Sequence, residues 1–116
     1  MTTEGCVFCG IVAKKIPAAV RFEDDLAIAF NDINPAAETH VLIVPKKHIR
    51  DLEHATDADR DLLGHLFRTS AAVAAQLGVA EQGYKLLLNN GSGGGQVVMH
   101  LHLHLLAGKR TGHFPG

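Results

Sequence analysis

The chain has 116 residues, 47% of them hydrophobic, with 11 basic and 12 acidic side chains and a formal charge of −1. That length and apolar content suit a single domain over residues 1–116 with a real core, and exclude a disordered chain. The near-neutral charge excludes a surface built to hold nucleic acid, although a small phosphorylated ligand needs only local donors, and without an apolar run of ~18 residues or a secretory pattern at its start the chain is expected to be cytoplasmic, with no membrane partner.

In chain order, Cys6-x-x-Cys9 comes first. Two thiols this close make a poor long-loop staple, and in a reducing compartment they read as metal ligands or a redox pair. Val7, Phe8, Ile11 and Val12 recur at helical spacing, predicting a short amphipathic helix over Val7 to Lys15 that Pro17 stops. Val20 to Phe22 reads as a strand and Glu23-Asp24-Asp25 as a tight turn. Leu26, Ile28 and Phe30 mark the returning strand of a hairpin. Asn31 to Thr39 is a polar loop containing Pro35, and Val41 to Val44 is a continuous apolar run suited to a strand covered on both faces. Pro45 ends it, and the Lys46-Lys47 pair after it reads as a solvated strand end rather than an anion site.

Thr56 is placed to cap a helix whose first turn carries Asp57 and Asp59. Leu62, Leu63, Leu66, Phe67, Val73, Ala74 and Leu77 continue at helical spacing, and Gly78 is a C-terminal stop. His65 on this helix and His54 before it read as surface or boundary histidines. Tyr84 to Leu88 is a further strand, Asn89 to Gln96 a glycine-rich loop, and Val97 to Leu106 the last strand. Five strands, one long helix and one short one predict an α+β fold with a mainly antiparallel sheet.

The last strand carries the chemistry. Side chains alternate across a strand with a rise of ~3.4 Å per residue, so His100, His102 and His104 share one face while Leu101, Leu103 and Leu105 share the other. The outer two imidazoles then lie ~14 Å apart, whereas zinc–nitrogen bonds are about 2 Å long, so one ion cannot easily collect all three. At most two share a metal. The rest are suited to acid, base or nucleophile work near neutral pH. The glycine loop before them is neither a dinucleotide fingerprint, which needs glycine where Gln96 stands, nor a Walker loop. Its backbone N–H groups can still approach an anion closely.

His100-Leu101-His102-Leu103-His104-Leu105-Leu106 resembles the histidine-triad (HIT) signature without a mismatch. The likeness extends over Phe22-Glu23-Asp24-Asp25, Asn31-Asp32-Ile33-Asn34-Pro35, Thr39-His40, Pro45-Lys46-Lys47-His48-Ile49, Gly94-Gly95-Gln96 and Gly112-His113-Phe114-Pro115-Gly116, and is nearest the Hint-like branch. The resemblance implies the HIT-like α+β fold, a homodimer with a sheet continued across the interface, and hydrolysis of purine nucleoside phosphoramidates. Alternatives within its reach are a dinucleoside polyphosphate hydrolase or phosphorylase, and a nucleotide-binding interaction protein with incidental catalysis.

It also implies roles. His102 matches the nucleophile that forms a nucleotidyl-histidine, its other nitrogen donating to a fixed acceptor such as a backbone carbonyl. His104 matches the residue that contacts the phosphate and helps protonate the leaving group, and His40 a more distant fourth histidine. Asn89, Gly95, Gln96 and Val97 fall where the family holds phosphate, with Val97 replacing a usual serine. Asp32 matches the carboxylate that accepts the ribose hydroxyls, and Phe8, Ile11, Ile33 and Leu42 the apolar purine slot. His113 and Phe114 lie in a tail that, in the family, reaches the partner subunit's site. The Hint-like branch mostly lacks both cysteines, but some bacterial relatives hold a structural zinc ion with such a pair. Here that set would be Cys6, Cys9, His48 and His100, and without the metal His100 would return to proton handling.

Overall fold

The computed structural model describes residues 5–110, which form one five-stranded antiparallel sheet with a helix on each face. The strands are β1 (Val20–Glu23), β2 (Ala27–Asn31), β3 (Ala37–Pro45), β4 (Lys85–Leu87) and β5 (Leu103–Arg110), in the spatial order β1-β2-β3-β5-β4. The helices are α1 (Val7–Val12) and α2 (Arg60–Gln76). The expected α+β class, the five strands and the two helices are all present.

Alternation along β2, β3 and β5 divides the core in two. Ala27, Ala29, Val41, Ile43, Leu101, Leu103 and Leu105 meet Leu66, Val73 and Ala74 of α2. On the opposite face Ile28, Phe30, Leu42 and Val44 meet Phe8 and Ile11 of α1. Because β3 is covered on both sides, its residues 41–44 must all be apolar, as the uninterrupted run predicts. The α2 side is the thicker layer; the α1 side is thin, and the functional side chains emerge beside it.

Four elements differ in extent by more than a residue from those expected, two through local hydrogen bonds and two through strand pairing or its absence. The first helix ends at Val12 rather than Lys15, because Lys15 and Ile16 both turn back to the Gly10 carbonyl and Lys14 takes a positive φ of 64°. β3 begins at Ala37, so part of the predicted polar loop is strand, held by the pairing of Thr39 and His40 with β5. Thr56 caps a 3-10 turn over Asp57–Asp59, in a capping box with Asp59, and the α-helix proper starts at Arg60. Gly78, at φ +76°, ends that helix as predicted.

The fourth difference bears on the site. The histidine strand does not start at Val97: regular pairing starts at Leu103, and residues 97–102 run as an irregular segment whose Leu101 N–H bonds the Ile49 carbonyl at 2.7 Å. His104 therefore sits in the sheet, while His100 and His102 lie just before it. Lys46 and Lys47 pair with Glu23 and Asp59 at 2.8 and 2.6 Å, in keeping with a strand end rather than an anion site. Among the described residues no helix is long and apolar enough to cross a membrane.

Candidate active site

The approach to β5 and the strand itself carry a line of histidines, each with its proton position set by a neighbour. His100 is fully buried, and its Nε2 lies 2.8 Å from the Pro45 carbonyl. A carbonyl only accepts, so Nε2 carries the hydrogen and Nδ1 keeps a lone pair. His102 directs Nδ1 at the His100 carbonyl, 2.7 Å away. By the same reasoning its proton is on Nδ1 and its Nε2 lone pair is uncommitted to that bond. Burial is the main force lowering the pKa of both rings, that of His100 to about 4, and it keeps them neutral near pH 7.

His104 and His40 are brought together by strand register. Leu42 faces His104 and His40 faces Leu106, so the two histidines are diagonal neighbours on one face of β3 and β5. His40 Nε2 lies 2.9 Å from His104 Nδ1 and 3.4 Å from an Asp32 carboxylate oxygen. Burial lowers the pKa of His104 to about 4, with the neighbouring histidines adding to the effect; it also lowers that of His40, against the pull of Asp32. The His102 and His104 ring centroids are 4.9 Å apart.

Phe8, from α1, stands edge-on to His102 at 5.0 Å and to His100 at 5.8 Å. With Ile11 and Leu42 it belongs to the thinner core layer. Ile33 does not: it is 90% exposed in the loop before β3. Asp32 uses its Oδ1 to accept the Asn34 N–H at 2.8 Å, and its Oδ2 is the oxygen nearest His40.

The glycine loop is braced by the two amides expected near phosphate. Gln96, buried, accepts the Gly91 N–H through Oε1 and donates through Nε2 to the carbonyls of Arg50 and Val98. Asn89 Nδ2 donates to the Gly94 carbonyl at 2.8 Å. Gly95, at φ +83°, turns the chain where a side chain would be strained. Val97 projects outward, 87% exposed. These two side chains therefore shape the loop, and its backbone is what they present.

A second cluster adjoins the first. Cys6 Sγ lies 3.5 Å from His100 Nδ1; Cys9 Sγ lies 3.3 Å from His48 Nδ1 and 3.6 Å from His100 Nδ1; the two imidazole nitrogens are 3.1 Å apart. Cys6 is the N-cap of α1 and accepts the Cys9 N–H, so the cap itself points both thiols to one side. All four ligand atoms lie within 4.8 Å of one another, and the group could bind a metal ion. His54 bonds Asp51 and His65 bonds Asp24, and neither joins either cluster. His113 and Phe114 fall outside the described residues.

The backbone carbonyl expected opposite His102 is that of His100; what the sequence did not disclose is which carbonyl it would be, the Pro45 carbonyl that fixes His100, and the Ala36 N–H that reaches His40 Nδ1 at 3.0 Å. No residue type signals such a contact. The sequence profile of the HIT domain matches residues 13–111. The chain belongs to the HIT domain family. A HIT family hydrolase from Legionella pneumophila shares 46% identity and a TM-score of 0.89, covering 97% of this chain and all of that one. An uncharacterized HIT-like protein of Synechocystis is 48% identical over 97% of this chain and 98% of its own length. The purine nucleoside phosphoramidase of Escherichia coli K12 is 39% identical over 94% of this chain and 92% of its own. These HIT relatives match nearly end to end, so the likeness spans the whole domain and not the triad alone.

Proposed function

We propose that this HIT protein is a hydrolase of purine nucleoside phosphoramidates, releasing nucleoside 5′-monophosphate and an amine. The observation that carries the reading is the 2.7 Å bond from His102 Nδ1 to the His100 carbonyl, which leaves the Nε2 lone pair of a neutral, buried ring for attack on phosphorus. The P–N bond breaks as the P–Nε2 bond forms. His104 would direct its Nε2–H at the departing nitrogen while that nitrogen takes a proton from solvent, and the water that later displaces His102 returns one to solvent. Asp32 would take the ribose hydroxyls, and Phe8, Ile11, Ile33 and Leu42 the base. In the loop of Gly95, Gln96 and Val97 the first two N–H groups donate to the Ser92 and Gly91 carbonyls at 3.0 Å, so the Val97 N–H would be the backbone donor to phosphate, with Asn89 and Gln96 bracing the turn.

We also infer that Cys6, Cys9, His48 and His100 hold zinc. A tetrahedral zinc with Zn–S of about 2.3 Å and Zn–N of about 2.0–2.1 Å has sulfur–nitrogen edges of about 3.5 Å and a nitrogen–nitrogen edge of about 3.3 Å. The separations here are 3.3, 3.5 and 3.6 Å for three sulfur–nitrogen pairs and 3.1 Å for the nitrogens. These four residues would close the shell, and a bound ion would cross-link α1, the turn after β3 and the approach to β5. A cytoplasmic location, where thiols stay reduced, suits such a centre.

A homodimer is supported by an apolar groove of about 500 Å³ lined by Leu52, Leu63, Leu66, Phe67 and Leu88, beside the edge strand β4. Light scattering should give twice the 12.4 kDa chain mass; the single mass would refute the pairing. The activity is tested by comparing adenosine 5′-phosphoramidate with diadenosine tetraphosphate. Faster release of AMP from the phosphoramidate is expected. Preference for the tetraphosphate would favour the dinucleoside polyphosphate alternative, and tight binding of AMP without turnover of either would favour an interaction protein.

A further inference from the structure

Asp32, His40 and His104 form a second group whose donor atoms all lie within 4.8 Å of one another, two imidazoles and a carboxylate of the kind that collects transition metals. Its hydrogen bonds point another way. The Ala36 N–H is 3.0 Å from His40 Nδ1. A backbone N–H only donates, so Nδ1 is an acceptor and the His40 proton is on Nε2. That Nε2–H is 2.9 Å from His104 Nδ1, which must then accept, and the remaining proton of neutral His104 is on its own Nε2.

We infer that the Ala36 N–H is a positioning group that sets the proton order of the His40–His104 pair and, by the same bond, keeps this cluster from serving as a metal site. Metal at His40 Nε2 needs a lone pair there, which in a neutral ring puts the proton on Nδ1, facing the Ala36 N–H donor to donor. The order that Ala36 imposes leaves His104 with an Nε2–H to offer away from His40. Only the catalytic use of that hydrogen rests on the hydrolase reading; the tautomers and the metal exclusion stand without it.

Long-range 15N–1H spectra of the ring nitrogens of full-length protein at neutral pH read the tautomers directly and need no turnover. Both His40 and His104 should show the Nε2–H pattern and His102 the Nδ1–H pattern. His40 or His104 in the Nδ1–H form overturns the inference. Ala36→Pro removes the donor, and Ni2+ titrated against the His40 and His104 ring signals should then bind at least tenfold more tightly than to wild type. Equal broadening in the two proteins would also overturn it. Should Ala36→Pro fail to fold, the wild-type spectra decide alone, and a merely structural role for Ala36 would leave no preference for one tautomer.

Discussion

Two clusters that each hold a pair of histidines lie side by side in this HIT domain, one completed by two thiols and the other by a carboxylate, and their backbone hydrogen bonds differ. In the Cys6, Cys9, His48 and His100 group, the Pro45 carbonyl takes the Nε2 hydrogen of His100 and leaves Nδ1 facing two thiols. In the Asp32, His40 and His104 group, the Ala36 N–H occupies His40 Nδ1 and leaves hydrogens between the side chains. The paired imidazole nitrogens are similarly close, 3.1 and 2.9 Å; besides thiol against carboxylate, the backbone partner of the second ring nitrogen distinguishes a ring with a lone pair to offer from one that carries the shared hydrogen. His102 belongs to neither cluster and touches both, through the His100 carbonyl and through its 4.9 Å contact with the His104 ring.

The strongest way to break this division is His102→Ala. Losing a covalent nucleophile should lower kcat by at least about 10⁴-fold, while AMP binding, followed by calorimetry, persists because ribose and base contacts lie elsewhere. Near-wild-type turnover would remove His102 from its place between the clusters. Next in size is Cys9→Ala, which should abolish stoichiometric zinc and lower the melting temperature by about 10 °C or more, since a loss of ~1 kcal/mol already moves a domain of this size by several degrees. Metal analysis of untagged protein and a thermal scan check it together. Unchanged stability in metal-free wild type would return His100 to proton handling.

The pH response sharpens the other half of the comparison. Burial lowers the pKa values of His40, His102 and His104, the last from 6.5 to about 4, so these rings bind protons more readily unfolded than folded. Stability should be full above about pH 6.5 and fall as pH drops toward 4, because the unfolded chain takes up protons that the fold refuses. The midpoint of any loss of turnover on the acid side should lie below about pH 6.5, the value of a free imidazole. A rate that falls with an apparent pKa of 6.5 would contradict the buried, neutral triad. Smaller again is Gln96→Ala: losing the bonds to Gly91, Arg50 and Val98 should cost about 1–3 kcal/mol and lower kcat/KM by roughly tenfold as the loop loosens, measured by urea denaturation and steady-state kinetics.

Much of this arrangement is legible in the residues. Leucines alternating with histidines announce two faces, and Leu101, Leu103 and Leu105 do line the core against α2. The separation expected between His100 and His104 has a counterpart in their membership of different clusters. Cys6-x-x-Cys9 at the start of a short helix points to a shared ligand site, and both thiols face His100. What is not legible depends on partners distant in sequence. β3 reaches back to Ala37 because β5 pairs with it, and residues 97–102 leave the sheet while Leu101 bonds Ile49. Gln96 carries the polarity of a phosphate ligand, yet its burial and three backbone partners emerge only when Arg50 and Gly91 converge on it. Ile33 is apolar like a core residue but is 90% exposed in its loop.

The central claim is that the Nε2 of His102, with its proton held on Nδ1 by the His100 carbonyl, attacks phosphorus. Rapid acid-free quenching during turnover of adenosine 5′-phosphoramidate, followed by peptide mass spectrometry, tests it most directly. The account predicts an adenylyl group on the peptide containing His102, absent from His102→Ala. Product formed at full rate with no protein-bound nucleotide, or with the adduct on His104 or His40, would contradict it.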